Sequence, residues 1–174
     1  YLFPATDSTV IANGLIDLNG GMLILQTPNY TPGTVVLNAA SNNVGTVKVH
    51  RNSLLKAAPD ALVASSYLAI GHNDAVNNSN TVKDDFGTFD LAGVSQTING
   101  LVGYPNSGSN ASDSDSRKVT NSSDGAATLT VGISNGSGAF DGVIENGAGG
   151  GAVALTKVGT GTLTLTGNRD NTYT

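Results

Sequence analysis

The stretch GAVALTKVGTGTLTLTGN, residues 151 to 168, holds two strand-sized phrases, GAVALTK and GTLTLTG, ten residues apart. In an extended GTLTLTG, Leu163 and Leu165 point to one face, and Thr162, Thr164 and Thr166 point to the other. A Gly at each end admits a sharp turn. One such strand cannot bury its leucines alone. Many laid side by side make an apolar column within and rows of threonine without.

The same phrase pervades the chain. It reads GLIDLNG at 14–20, GMLILQT at 21–27, GTVVLNA at 33–39 and GTVKVHR at 45–51. It returns as GTFDLAG at 87–93, AATLTVG at 126–132 and GAFDGVI at 138–144. Short strands recurring at this spacing predict an all-β chain of 174 residues, one β-solenoid domain over 1–174, with a β-sandwich as the alternative. At roughly 20 to 25 residues per turn the chain makes about seven or eight turns and reaches some 35 Å along its axis.

Composition points the same way. Gly is abundant at 23 residues, Asn, Thr and Ser supply most of the polarity, and Glu145 is the only glutamate. That mixture suits strands and tight turns and disfavours helices. Charged residues are 12% of the chain, and the net charge is -5. Lysines and arginines stand singly apart from Arg117 and Lys118, so no basic stripe exists to meet nucleic acid or an anionic membrane. Cysteine is absent, which rules out disulfides. No apolar run approaches the length of a membrane span. The opening YLFPATDSTV lacks the pattern of a signal peptide and reads as the start of a mature or excised fragment.

Polar segments separate the phrases: NAASNNVG at 38–45, NDAVNNSNTVKDDFG at 73–87 and YPNSGSNASDSDSRK at 104–118. The last reads as a solvated excursion from the stack. SLLKAAPDALVASS at 53–66 breaks the pattern. Ser53 either caps a short helical turn that Pro59 stops, or opens a loop leading into the strand YLAIG.

The segment from Leu155 to Asn168, LTKVGTGTLTLTGN, with Asn171-Thr172-Tyr173-Thr174 after it, resembles the autotransporter-associated β-strand repeat. Phe140-Asp141-Gly142-Val143-Ile144 resembles the piece that precedes that repeat, and GTFDLAGVSQTINGLVG at 87–103 is similar to another phrase of such proteins. The resemblance covers about thirty residues closely, 87–103 more loosely, and the first eighty in style alone. It implies a right-handed parallel β-helix displayed outside a bacterial cell. Arg169 and Asp170 lengthen one turn relative to the family pattern, and the last repeat, 155–174, reads as truncated.

Candidate chemistry is sparse. His50 and His72 read as solvent-facing or edge histidines, and no nucleophile-elbow motif accompanies them. Asp84, Asp85, Asp113, Asp115 and Asp124 lie in Asn- and Ser-rich loops and read as turn formers. A carbohydrate-active site needs carboxylates held by rigid strands, which leaves Asp17, Asp90 and Asp141. Stacked directly, those three would repel one another. DSDS at 113–116 lacks the Gly and the closing Glu of a calcium loop. Tyr30, Tyr67 and Tyr104 are the aromatic candidates for a sugar platform, and most read as core or edge packing. The sequons at Asn29, Asn77, Asn110, Asn121 and Asn135 read as ordinary turn sequence.

The expected function is therefore an extracellular structural or adhesive scaffold, with no catalytic, cofactor-binding or metal-binding residues. Its expected partners are neighbouring repeats or other copies met end to end, and surface glycans are a further expectation. A carbohydrate-active or glycan-binding module is the alternative.

Overall fold

The computed structural model describes residues 1–28, 31–40, 43–71, 87–103, 117–167 and 169–174. No α-helix occurs among them; the chain is all-β, built of short strands. The first nine are β1 Thr9–Ala12, β2 Met22–Leu25, β3 Gly33–Leu37, β4 Thr46–Val49, β5 Ser53–Ala57, β6 Tyr67–Ile70, β7 Gly87–Asp90, β8 Gln96–Ile98 and β9 Gly100–Gly103. Six more follow: β10 Arg117–Thr120, β11 Ala127–Val131, β12 Gly138–Phe140, β13 Val143–Ile144, β14 Val153–Lys157 and β15 Leu163–Leu165.

The strands form parallel sheets. The largest has the order β1-β3-β5-β7-β10-β13, a second runs β2-β4-β6-β9, a third β8-β11-β14, and β12 pairs with β15. β12 also lies beside β9. Sequence order and spatial order agree within every sheet, so each return to a sheet adds one strand at the same edge. The returns are nearly even. Thr9 pairs with Thr34, Gly33 with Ser53, and Lys118 with Val143. Ser53 to Gly87 and Gly87 to Arg117 are longer steps, and they contain the polar runs at 72–86 and 104–116. The largest sheet holds six strands among the described residues, and the bridge of Glu145 with Thr172 adds one more position beside β13.

Alternation fixes which face is covered. In β3 and β5 the first, third and fifth residues are buried and the two between are half-exposed. Register then stacks like upon like: Val35, Leu55, Phe89, Val119 and Ile144 are successive partners, and every one is fully buried. Leu23, Val47, Leu68 and Leu101 form the equivalent row in the second sheet. Each large side chain so covered contributes on the order of 2 kcal/mol from burial.

Two segments depart from the expected reading. SLLKA is strand β5, neither a helical turn nor a loop. Its neighbours supply β3 and β7 on either side, and that pairing outweighs the local cap signal of Ser53. GLIDLNG is reduced to one isolated bridge, Asp17 with Asn43, because Leu15 and Leu18 find nothing to pack on and stay exposed. The polar run expected over 104–118 ends earlier, since Arg117 and Lys118 begin β10; residues 104–116 lie outside the described residues.

Corners are closed by side chains. Asn99 Oδ1 accepts the N–H groups of Ser134 and Gly136 at 3.1 and 2.7 Å. Asn135 Oδ1 accepts from Thr160, and Asn171 Oδ1 from Ile144. In each bond the side-chain oxygen of one repeat accepts a backbone N–H of a neighbouring repeat, standing in for a ladder carbonyl.

Candidate functional site

The candidate residues do not converge on one place. His72, Asp84, Asp85, Asp113, Asp115, Tyr30, Tyr104, Asn29, Asn77 and Asn110 lie outside the described residues. His50 is 1% exposed, directly after β4, which corrects its reading as a solvent-facing or edge residue. It follows Val49 in a strand whose neighbours cover it on both sides. Asp124 is exposed between Asn121 and Gly125, as a turn former would be. Tyr67 stands half-buried on β6, and a Cβ at its register partner Gly100 would strike the tyrosine ring.

Asp17, Asp90 and Asp141 occupy separate places, each with its own partners. Asp17 Oδ1 accepts from Asn43 Nδ2 at 2.8 Å and from the Asn19 N–H at 2.9 Å. Asp90, at the end of β7, is the register partner of Lys56 on β5 and pairs with its ammonium at 3.1 Å. Ser122 Oγ donates to Asp90 Oδ2 at 2.6 Å, and the backbone N–H groups of Ser122 and Ala92 donate to Oδ1. Burial alone would raise the Asp90 carboxyl; the Ser122 hydroxyl, the two N–H groups and Lys56 together overcome it and hold the carboxyl below its ordinary value.

These bonds bring a hydroxyl, a carboxylate and an amine together. Lys56 Nζ also reaches Ser122 Oγ at 3.4 Å. The trio ties β5 and the residues after β10 to the end of β7. The bonds also place Ala92 in the left-handed region at φ 48°, with Gly93 following at φ 82°.

A second polar pair carried no signal in the sequence reading. Arg117 opens β10, aligned with Gly87 and Ser53, and its side chain is 3% exposed. Its Nε donates to Asp141 Oδ1 and its Nη2 to Asp141 Oδ2, both at 2.9 Å. Room for this pair comes from Gly103 and Gly142: a Cβ on the first would strike the Asp141 carboxylate, and one on the second the Phe140 ring and Arg117. Lys118 on the outer face reaches Glu145 at 2.7 Å.

A cleft of about 310 Å³ lies beside β8, walled by Ala40, Asp60, Leu62, Val63, Gln96 and Thr97. Its amide is occupied, since Gln96 Nε2 donates to the carbonyls of Ala57 and Ala58. Asp60 is the one acid in the lining, and Ser95 and Thr97 add hydroxyls. No group of three or more metal-ligating side chains occurs among the described residues.

The most distinctive surface is apolar. Seven large apolar side chains are exposed among the described residues, and six of them fall within residues 1–22: Tyr1, Phe3, Ile11, Leu15, Leu18 and Met22. The Tyr1 and Phe3 rings stack at 5.4 Å with planes 4° apart. Beneath this collar Val10, Ala12 and Ile16 are only partly covered by the core they pack against. At the opposite end Leu155, Leu163, Leu165 and Tyr173 are likewise only partly covered.

No protein-family model, no curated protein and no solved structure matches the chain.

Proposed function

We propose that the chain is a right-handed parallel β-solenoid acting as an extracellular scaffold of a bacterial surface, of the autotransporter-associated β-strand repeat type, without catalysis. The observation that carries this reading is the regular parallel register, in which each sheet grows by one strand per sequence repeat. A chain that adds strands this way winds about an axis, and connections between parallel strands of one sheet are overwhelmingly right-handed. Lateral hydrogen bonds then stiffen the axis, and an uninterrupted apolar row fills it.

The polar groups support a scaffold over an enzyme. Asp90, Asp141, Asn99 and Asn121 are tied to other parts of the fold, and no acid faces a second acid across a cleft in these pairs. The exposed Tyr1–Phe3 stack favours a second reading, a glycan-binding module, since a flat aromatic face is what a sugar ring packs on.

A glycan array combined with a reducing-sugar assay separates the readings. Silence in both is the expected result. Release of reducing ends overturns the scaffold; binding lost on Tyr1→Ala establishes the glycan module instead.

A further inference from the structure

We infer that the cleft beside β8 takes a short extended peptide carrying a positive charge, held along the free edge of that strand. The inference stands apart from the scaffold reading, because it needs neither the handedness of the winding nor a place outside a cell.

The open edge arises inside the chain. Among the described residues the sheet of β8, β11 and β14 starts at β8. The preceding pass, between β5 and β6, forms no strand beside it. It turns twice instead: Ala61 N–H donates to the Ala58 carbonyl at 3.1 Å, and Ser66 N–H to the Val63 carbonyl at 2.8 Å. Pro59 has no N–H to give a ladder, and Asp60 stands in the left-handed region at φ 58°. The two passes therefore separate, and the cleft lies between them.

Backbone direction shows which groups are left over. Gly132 N–H donates to the Ile98 carbonyl at 2.9 Å, so Ile98 faces β11. Successive residues of a strand turn their N–H and C=O to opposite sides. Thr97 thus aims both groups away from β11, toward the wall of Leu62, Val63 and Ala64. Asn99, the next residue facing that way, donates its N–H to the Ser66 carbonyl at 2.8 Å. Thr97 has no such backbone partner among the described residues.

An amide pair left open on a strand edge is met by another backbone in extended form. Size and charge narrow that occupant. A cleft of about 310 Å³ lies at the lower end of ligand sites and is shut where Asn99 meets Ser66, so the segment is short. Asp60 is exposed and is the one charged residue in the lining, which favours a cationic side chain. Leu62 and Val63 offer an aliphatic neighbour its apolar wall.

A nuclear magnetic resonance titration of the 174-residue chain tests this. The probe is a capped five-residue peptide with a central lysine flanked by alternating valine and threonine. Saturable one-to-one binding is expected, with the Thr97 amide shifted and its exchange with solvent slowed. Asp60→Asn is expected to weaken binding about threefold, and wild type is expected to bind a norleucine version of the peptide equally weakly. Thr97→Pro removes the N–H at a place where an edge strand tolerates proline. It is expected to weaken binding about tenfold or more, with the far-UV circular dichroism unchanged.

Wild type that does not bind overturns the inference. So does binding that survives Thr97→Pro in a folded protein. Should that variant not fold, a wild-type Thr97 amide that keeps its shift and exchange rate at saturation overturns it instead. Displacement of the peptide by n-butylamine with the same shifts shows an amine site without strand pairing. A Thr97 shift that tracks protein concentration in the absence of peptide shows pairing between copies. Either result overturns the peptide assignment.

Discussion

The Arg117 guanidinium and the Asp141 carboxylate lie twenty-four residues apart in sequence and meet through two parallel hydrogen bonds. The pair ties the start of β10 to the residues that precede β13, its neighbour in the largest sheet.

Breaking that pair exposes its cost. With Arg117 3% exposed, Asp141→Ala leaves a buried cation without its partner and is expected to lower stability by about 3 kcal/mol. The double replacement Arg117→Met with Asp141→Leu removes both charges and is expected to recover most of it. Urea unfolding of the three proteins measures the difference. A single variant as stable as wild type would show the pair to be dispensable.

Asp90 gives a pH dependence of known sign. Its folded carboxyl titrates below the ordinary carboxylate value of about 3.9. The charged form thus contributes stability that is complete above that value and is lost as pH falls through the folded pKa. Wild type is expected to lose more stability between about pH 5 and pH 3 than Asp90→Asn does. Parallel urea midpoints for the two proteins over that range would contradict the assignment.

Asn121 is fully buried and serves four backbone groups: its Oδ1 accepts from Gly93 and Ser123, and its Nδ2 donates to Gly125 and Ala152. Asn121→Ala strands them, at an expected cost of about 3 kcal/mol. The sharper readout is local: the Gly93 amide is expected to exchange with solvent faster, while amides of β3 keep their protection relative to global stability.

Two glycines separate packing from chain entropy. A Cβ at Gly147 would be forced into the Asn121 carbonyl, whereas one at Gly14 meets open space. Gly147→Ala is expected to cost about 2 kcal/mol or more. Gly14→Ala is expected to be neutral or stabilising by up to about 1 kcal/mol. Thermal unfolding of both variants decides it.

How far the sequence reveals this molecule depends on what each strand leans on. GTVVL carries alternation and glycine together, TVKV and ATLTV carry alternation with Gly45 and Gly132 beside them, and each is a strand. SLLKA and RKVT are strands too, but Ser53 and Arg117 stand where other turns place Gly33 and Gly87. Only the register shows that those positions are equivalent. GLIDLNG has the right letters and lacks a covered face, so local pattern overstates it. The Arg117–Asp141 pair was hidden for a related reason: Arg117 stands at the end of a polar run, and its buried environment comes from Gly103 and Gly142 far away in the chain. The acids at 84–85 and 113–115 lie outside the described residues, so their role stays with the sequence reading.

The most direct test of the stacking is a set of distances within one chain. Thr9, Thr34, Leu54, Thr88 and Lys118 are successive register partners in the largest sheet. Nitroxides placed on Thr9 and on each of the others in turn should report backbone separations rising in even steps, about 5, 10, 14 and 19 Å. Separations that fail to rise in that order, as in two facing antiparallel layers, would contradict the account.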